Sequence, residues 1–435
     1  MCIVNSTHII PLLQKQWRTV SFAAIAAGAG ITVGISKEAV KIMHQDLTSE
    51  HGFSIGWPRY IIPAMSARKD LDAINRRSVE VLADEVEEPQ AKGVVRLELS
   101  QWSRQMMFTA TTEAVWGPQN PYRDPVVAEA WRTFEAGFLN FSMFPFSSVP
   151  FPKLRQAREA VAAAMMKYMG NGGHKTASGL VRMRFEHHHD QFGLRIEEIA
   201  RGNTTPCALW MLYHVYSDNR VLNDLRREIQ ALVHEQHDEV GNSFHSVDLA
   251  AIRTSCPILM RTFQETMRFR AANSGLRVLI EDVRLDDRYL LKKGSMLMIP
   301  ATVQHSDAAA WGDDVGEFDY MRFARRPTTG RKKPNRIAFC AFSGGHILCP
   351  GRHFASNEIM VFAALMVLRF DVTPVKGTWV EPICDNTPAR SGFPLPDEDI
   401  EIELCPRDVS KKWNFTFSGS DKVMDIVAED GSSSE

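Results

Sequence analysis

Cys349 stands in the stretch AFSGGHILCPGRHFA, residues 341–355, after two glycines and before Pro-Gly-Arg. Its surroundings limit the chemistry it could do. A structural zinc site wants three further ligands at close, regular spacing, and the stretch lacks them. A disulfide wants a partner and an oxidising compartment. A helix read from Arg352 to Phe370 puts the sulfur near a helix N-terminus, where the dipole favours a thiolate. Gly344, Gly345 and Gly351 let the backbone turn tightly and leave room for something flat and large. A thiolate, a flat partner and no second ligand point to haem held by a single axial cysteine. The competing reading of a lone cysteine is a small buried hydrophobe.

Upstream, QETMRFR places Glu265 and Arg268 three apart on one helix face. Alone, such an ion pair is common and worth little. Its place in the order matters: FDYMRF (318–323) adds Arg322, and the cysteine loop follows. In this order the chain resembles the cytochrome P450 family, whose members carry an E-x-x-R helix, an F-x-P-x-R segment and an F-x-x-G-x-R-x-C-x-G loop. Here these are Glu265/Arg268, Phe318 to Arg322 with Tyr320 in the proline place, and Phe342, Gly345, Cys349 and Gly351. The resemblance implies a structural network of Glu265, Arg268 and Arg322 behind the haem, with Cys349 as axial ligand. The fold it implies is mainly α with small β-sheets, the haem lying between the long central helix and the cysteine loop.

Further residues follow from the same resemblance. Arg277, nine residues past Arg268, stands where relatives place an arginine for a haem propionate, and a forked guanidinium suits a carboxylate. The stretch 193–218 resembles the long helix crossing the haem face, with Asn203-Thr204 in place of the usual acid-threonine pair. Gly202-Asn203 followed by Pro206 is similar to the branch of bile-acid sterol hydroxylases and prostacyclin synthase and its fungal relatives. Pro206 cannot donate to the carbonyl of Gly202, so the helix must open there. Asn203 and Thr204 are expected to orient water and protons. Arg76 and Arg77 lie on a helix in which the family places a second propionate arginine, though its customary tryptophan is missing; Arg76 is taken as cofactor-binding. Ile347 occupies the loop position where relatives have an arginine or histidine. His346 sits one place early, so its side chain is expected to turn elsewhere.

The elements that must position these residues read as helical over 70–88, 246–270 and 356–370, with apolar residues three and four apart. Short strands read at 276–282, 295–300 and 399–404. The prolines in 138–152 forbid a long helix, and its phenylalanines suit either core packing or the wall of an apolar channel. Histidines 187–189 in EHHHD point in different directions from a helix and read as a solvated polar patch rather than a metal site. Domain organisation is read as one catalytic domain over 1–410 and a disordered, polar, acidic tail over 411–435. IVNSTHIIPLLQ resembles the strand and helix that follow the anchor and first helix of the family, so the N-terminal anchor, first helix and first strand are read as missing.

Composition agrees with an ordinary globular protein of 435 residues, 44% hydrophobic and 23% charged. A net charge of -2 gives no reason to expect nucleic acid. Seven cysteines without a C-x-x-C pair or a signal peptide favour a reducing, cytosol-facing location. The nearest candidate for a membrane span, 21–36, is shorter than the ~18 residues a span needs and is broken by glycines, so it reads as a buried segment or cavity wall. Peripheral contact with the endoplasmic reticulum membrane is compatible with this. The resemblance implies a monooxygenase that inserts one oxygen atom from O₂ into an apolar small molecule such as a sterol, terpenoid or other secondary metabolite. Its electrons would come from NADPH through a cytochrome P450 reductase. A haem-thiolate isomerase and a truncated, non-catalytic haem binder are the alternatives.

Overall fold

The helix that follows the cysteine loop, Arg352–Arg369, is apolar on nearly all sides, and every residue from His353 to Arg369 except Ala355 is buried. A helix of that character belongs at the centre of a core. Helices Lys69–Lys92, Ala208–Ser217, Asn219–Gln230 and Pro257–Arg270 pack around it. The computed structural model describes residues 1–30, 34–66, 69–143, 151–195, 207–324, 334–387, 391–419 and 424–431.

Small sheets surround this helical core. One has the order β1 (Cys2–Ile3), β9 (Met296–Pro300), β6 (Ser274–Leu279), β2 (Val20–Ser21), with β1 parallel to β9 and the other pairs antiparallel. Its register sets Arg277 opposite Leu297. A second sheet joins β10 (Phe370–Pro374), β11 (Glu401–Pro406) and β3 (Val95–Glu98). The third joins β12 (Lys412–Thr416), β5 (Ser243–Asp248) and β4 (His234–His237), and β7 (Val283–Leu285) pairs with β8 (Tyr289–Leu291).

Three sequence expectations need correction. The single helix over 246–270 is instead the end of β5, a short 3₁₀ and α turn, and a helix that starts at Pro257. Proline lacks the N–H that a preceding turn would use, so it suits the first helical position and marks the boundary. The tail expected to be disordered from 411 is packed over much of its length. β12 pairs with β5 from Lys412↔Phe244 to Thr416↔Asp248, and Phe417, Met424, Ile426 and Val427 are buried. Alternate residues of KWNFT and the apolar Met424, Ile426 and Val427 supply the surfaces that pay for this ordering. EHHHD is a solvated patch only in part: Glu186, His189 and Asp190 are exposed, but His187 and His188 are not. Glu186–Gln191 forms a π-helical turn in which His187 and His188 are 2% and 6% exposed, packed on Phe53 and Trp57. Neutral imidazole is an aromatic ring, and these two rings face an aromatic helix rather than water.

Residues 21–36 contribute a short helix, Ala23–Ala29, and no helix among the described residues is long and apolar enough to cross a membrane. The phenylalanine-rich stretch is described only in part: helix Pro125–Met143 covers its start, and 144–150 lie outside the described residues.

Candidate active site

The cysteine loop is held by its own backbone. Cys349 N donates to the Phe342 carbonyl at 3.0 Å, and Leu348 N donates to Gly345 at 3.1 Å. Ser343 and Gly345 take φ of 66° and 62°, the left-handed region. At Gly345 a Cβ would also come within 2.8 Å of Gln14 Cβ, so the tight turn and the close approach both require glycine. Phe342 packs near Phe263 of the E-x-x-R helix, ring centroids 6.5 Å apart. At Gly351 a Cβ would stand 3.4 Å from Met65 and 4.0 Å from the Cys349 sulfur.

Burial pushes the Cys349 thiol up from its ordinary range; hydrogen bonds from the Gly351 and Arg352 amides and the Arg352 charge pull the other way without winning. The helix-end advantage read from the sequence is therefore outweighed by desolvation until a cation is bound to the sulfur. Cys340 lies behind the loop, where its amide donates to His305 Nε2 at 3.1 Å and burial pushes its thiol up to about 12.

Glu265, Arg268 and Arg322 meet in one buried network, exposed by 0%, 2% and 7%. Arg268 grips Glu265 with both Nε and Nη2, at 2.8 and 2.7 Å, and Arg322 Nε donates to Glu265 Oε1 at 3.1 Å. The remaining guanidinium hydrogens go to carbonyls of His305, Val315, Trp311 and Glu317 and to Asp314. Burying such charges is tolerable only when hydrogen bonds satisfy them this fully. Tyr320 at the proline place turns outward, and its hydroxyl donates to Asp224 at 2.6 Å.

Beside the loop lies a cavity of about 330 Å³. Leu348 and Pro350, the two neighbours of Cys349, line it together with Ile347, Met65, Phe22 and Ala23, so the stretch 21–36 does supply part of a cavity wall. Arg277 reaches it from β6. Arg277 is 7% exposed, its Nη1 donates to the Leu276 carbonyl at 2.8 Å, and among the described residues no carboxylate pairs with it. Burial lowers it to about 10. An unpaired buried cation is costly unless an anion arrives from outside the chain. A half-buried cysteine, a glycine-lined loop and this cation fit a flat, anionic, metal-bearing group such as haem.

Other expected residues fall elsewhere. Arg76 is not at the cavity; its Nε donates to the Phe417 carbonyl at 3.1 Å, so the reading of Arg76 as cofactor-binding is corrected. The helix that carries it docks on the C-terminal segment, which the sequence had suggested was free. Arg59 lines the cavity instead, paired with Glu50 at 2.5 Å. Its segment, GWPRY, carries no motif that could have marked it. His346 does not turn away: it lines the cavity beside Ile347 and packs on Trp17, ring centroids 4.5 Å apart. Burial and the charges of Arg59 and Arg18 keep it toward the neutral form. Asn203 and Thr204 lie outside the described residues.

With this geometry in place, comparison with known proteins is informative. The family model for cytochrome P450 matches residues 202–404. The cytochrome P450 monooxygenase nodJ of Hypoxylon pulicicidum is 29% identical over 98% of this chain and 85% of its own length. The chain belongs to the cytochrome P450 family. A P450 monooxygenase of Gibberella zeae is 30% identical over 70% of this chain and 61% of its own. Human 7-alpha-hydroxycholest-4-en-3-one 12-alpha-hydroxylase is 30% identical, with this chain spanning 44% of its length. The P450 fold is shared with retinoic acid-bound cyanobacterial CYP120A1, at a TM-score of 0.69 and 18% identity over 93% of this chain and 89% of that one. The chain is thus a P450 monooxygenase by family, and the family implies haem with a cysteine thiolate, a small-molecule substrate, O₂ and a redox partner.

Proposed function

We propose that this P450 inserts one oxygen atom from O₂ into an apolar small molecule, a sterol, terpenoid or other secondary metabolite, with electrons from NADPH through a reductase. The observation that carries the site assignment is Arg277, buried and without a carboxylate partner among the described residues, at a cavity bordered by the Cys349 loop. Cys349 would hold the haem iron through its thiolate in this reading, and Phe342, Gly345 and Gly351 shape the loop around it. Arg277 would hold a propionate; Arg59 and Arg352 line the same cavity but are paired with Glu50 and Asp430. Bound haem supplies the activation of O₂ that side chains cannot perform. Glu265, Arg268 and Arg322 keep the wall behind the loop rigid, and Asn203 and Thr204 would orient water and protons, Asn203 by holding a water rather than by supplying a proton. Sterol hydroxylation by a relative supports the substrate class. The location is read as cytosol-facing with peripheral contact at the endoplasmic reticulum membrane, supported by seven free cysteines.

The reduced CO difference spectrum tests the ligand. Cys349→Ala should lose the red-shifted thiolate band and all turnover, whereas Cys340→Ser should keep both. A thiolate band that survives Cys349→Ala overturns the assignment. NADPH- and reductase-dependent turnover of a sterol and terpenoid panel tests the reaction.

A further inference from the structure

The segment 424–431 lies beyond the family-matched residues, which end at 404, yet it is built into the wall of the cysteine loop. Met424, Ile426 and Val427 are buried in the main core. Gln264, one residue before Glu265, donates from Nε2 to the carbonyls of Asp425 and Ile426 at 3.0 and 2.9 Å. Arg336 donates to Asp425 and to the Val427 carbonyl, both at 2.8 Å. The segment is therefore clamped to the E-x-x-R helix at one end.

Its carboxylates reach the loop at the other. Glu429 Oε1 accepts from the Gly345 amide at 3.1 Å. Asp430 Oδ1 accepts from Arg352 Nη2 at 2.6 Å and Nε at 3.1 Å, and lies 3.5 Å from His353 Nε2. The same Arg352 donates from Nη1 to the Cys349 carbonyl at 3.2 Å. A guanidinium is a rigid plane, so fixing Nε and Nη2 on one carboxylate fixes where Nη1 points. The Asp430 side chain is 1% exposed, so solvent does not screen this pair as it would a surface bridge.

We propose that Asp430 is a positioning residue for Cys349, holding the cysteine loop through Arg352 in the geometry that lets the sulfur ligate. The proposal rests on the reading of Cys349 as haem ligand. Asp430 also accepts from the Ile426 and Val427 amides at 3.2 Å, so a purely local role in folding its own segment is the alternative to be tested.

The full chain is prepared as wild type, Asp430→Asn, Asp430→Glu, Arg352→Met and the Asp430→Asn/Arg352→Met double variant. Two quantities are followed: haem transfer to apomyoglobin from the loaded protein, and hydrogen exchange of the loop peptide 342–352 in the haem-free protein. Asp430→Asn should raise both rates about tenfold, which corresponds to ~1.4 kcal/mol, and Asp430→Glu should recover part of the loss. In the Arg352→Met background Asp430→Asn should add nothing, because the path runs through that guanidinium. Wild-type rates in Asp430→Asn, or an equal cost in both backgrounds, overturn the proposal. Should Asp430→Asn fail to fold, Arg352→Lys, which keeps the charge and loses the fork, should show the same tenfold rise; wild-type rates there overturn the proposal as well. A thiolate band retained in Cys349→Ala would refute the ligand reading alone, since hydrogen exchange reports the loop without haem.

Discussion

Arg277 and Cys349 are each uncomfortable in the protein alone. Burial holds the thiol up, and among the described residues the guanidinium has no anion, so both residues suit a group the chain does not encode. This makes opposite predictions for the two states of the protein. Arg277→Met removes an unpaired buried charge and should leave the melting temperature of the haem-free protein unchanged or higher. In the loaded protein the same substitution deletes a charge-assisted bond worth roughly 1.5–3 kcal/mol. Haem transfer to apomyoglobin should accelerate by about one to two orders of magnitude. A variant that destabilises the haem-free protein and leaves transfer unchanged would show that Arg277 serves the fold instead. Glu265 differs in kind: its charge is fully met by Arg268, Arg322 and the Asp319 amide, so nothing about it waits for a ligand.

Among the elements, the π-helical turn Glu186–Gln191 sets a pH dependence. Burial lowers His187 to about 4 and holds His188 well below the ordinary histidine range. Unfolded, each takes up a proton near pH 6.5. The unfolded state therefore binds more protons between about pH 6.5 and 4, and stability falls as pH drops through that window. For His187 the shift corresponds to roughly 3 kcal/mol at its full extent, as an order of magnitude. Chemical denaturation at pH 7.5 and pH 5 should show a steep loss in wild type and a shallower one in His187→Phe, whose ring keeps the contacts with Phe53 and Trp57. Equal pH slopes in the two proteins would contradict the buried, neutral assignment. His305, lowered to about 3 by burial and then by Arg268, adds to the same slope in both proteins.

For the molecule as a whole, the C-terminal residues are part of the catalytic domain. β12 completes a sheet with β5 and β4, and Phe417, Met424, Ile426 and Val427 are each 3% exposed or less. Fully burying such side chains contributes roughly 1.5–3 kcal/mol apiece, a sum comparable to the total stability of a typical domain, about 5–15 kcal/mol. Deleting 411–435 should therefore yield insoluble protein or a melting temperature lower by well over ten degrees. Soluble, haem-loaded protein with a wild-type melting temperature after this deletion would show the tail to be dispensable.

Much of the site was legible in the chain because its signals are local. Glu265 and Arg268 share a face through helical spacing, and the cysteine loop announces itself through glycines that a left-handed turn and a close approach require. Helices with strong periodicity, 70–88 and 356–370, lie within observed helices, Lys69–Lys92 and nearly all of Arg352–Arg369. Periodicity states which residues share a face and says nothing about what covers that face. The apolar spacing in 246–256 served a strand and short turns instead of a helix, because pairing with β4 and β12 outweighed it. His187 and His188 look polar in sequence and are buried because a helix some 130 residues earlier brings aromatic rings against them. Arg76 turned to Phe417 and Arg59 to the cavity through contacts between distant segments, which no local motif encodes. Residue type and spacing thus determined the chemistry on offer, a lone thiolate beside a structural ion network. Tertiary packing alone decided which charges were left without a partner, since that depends on which remote segments close over them and exclude water.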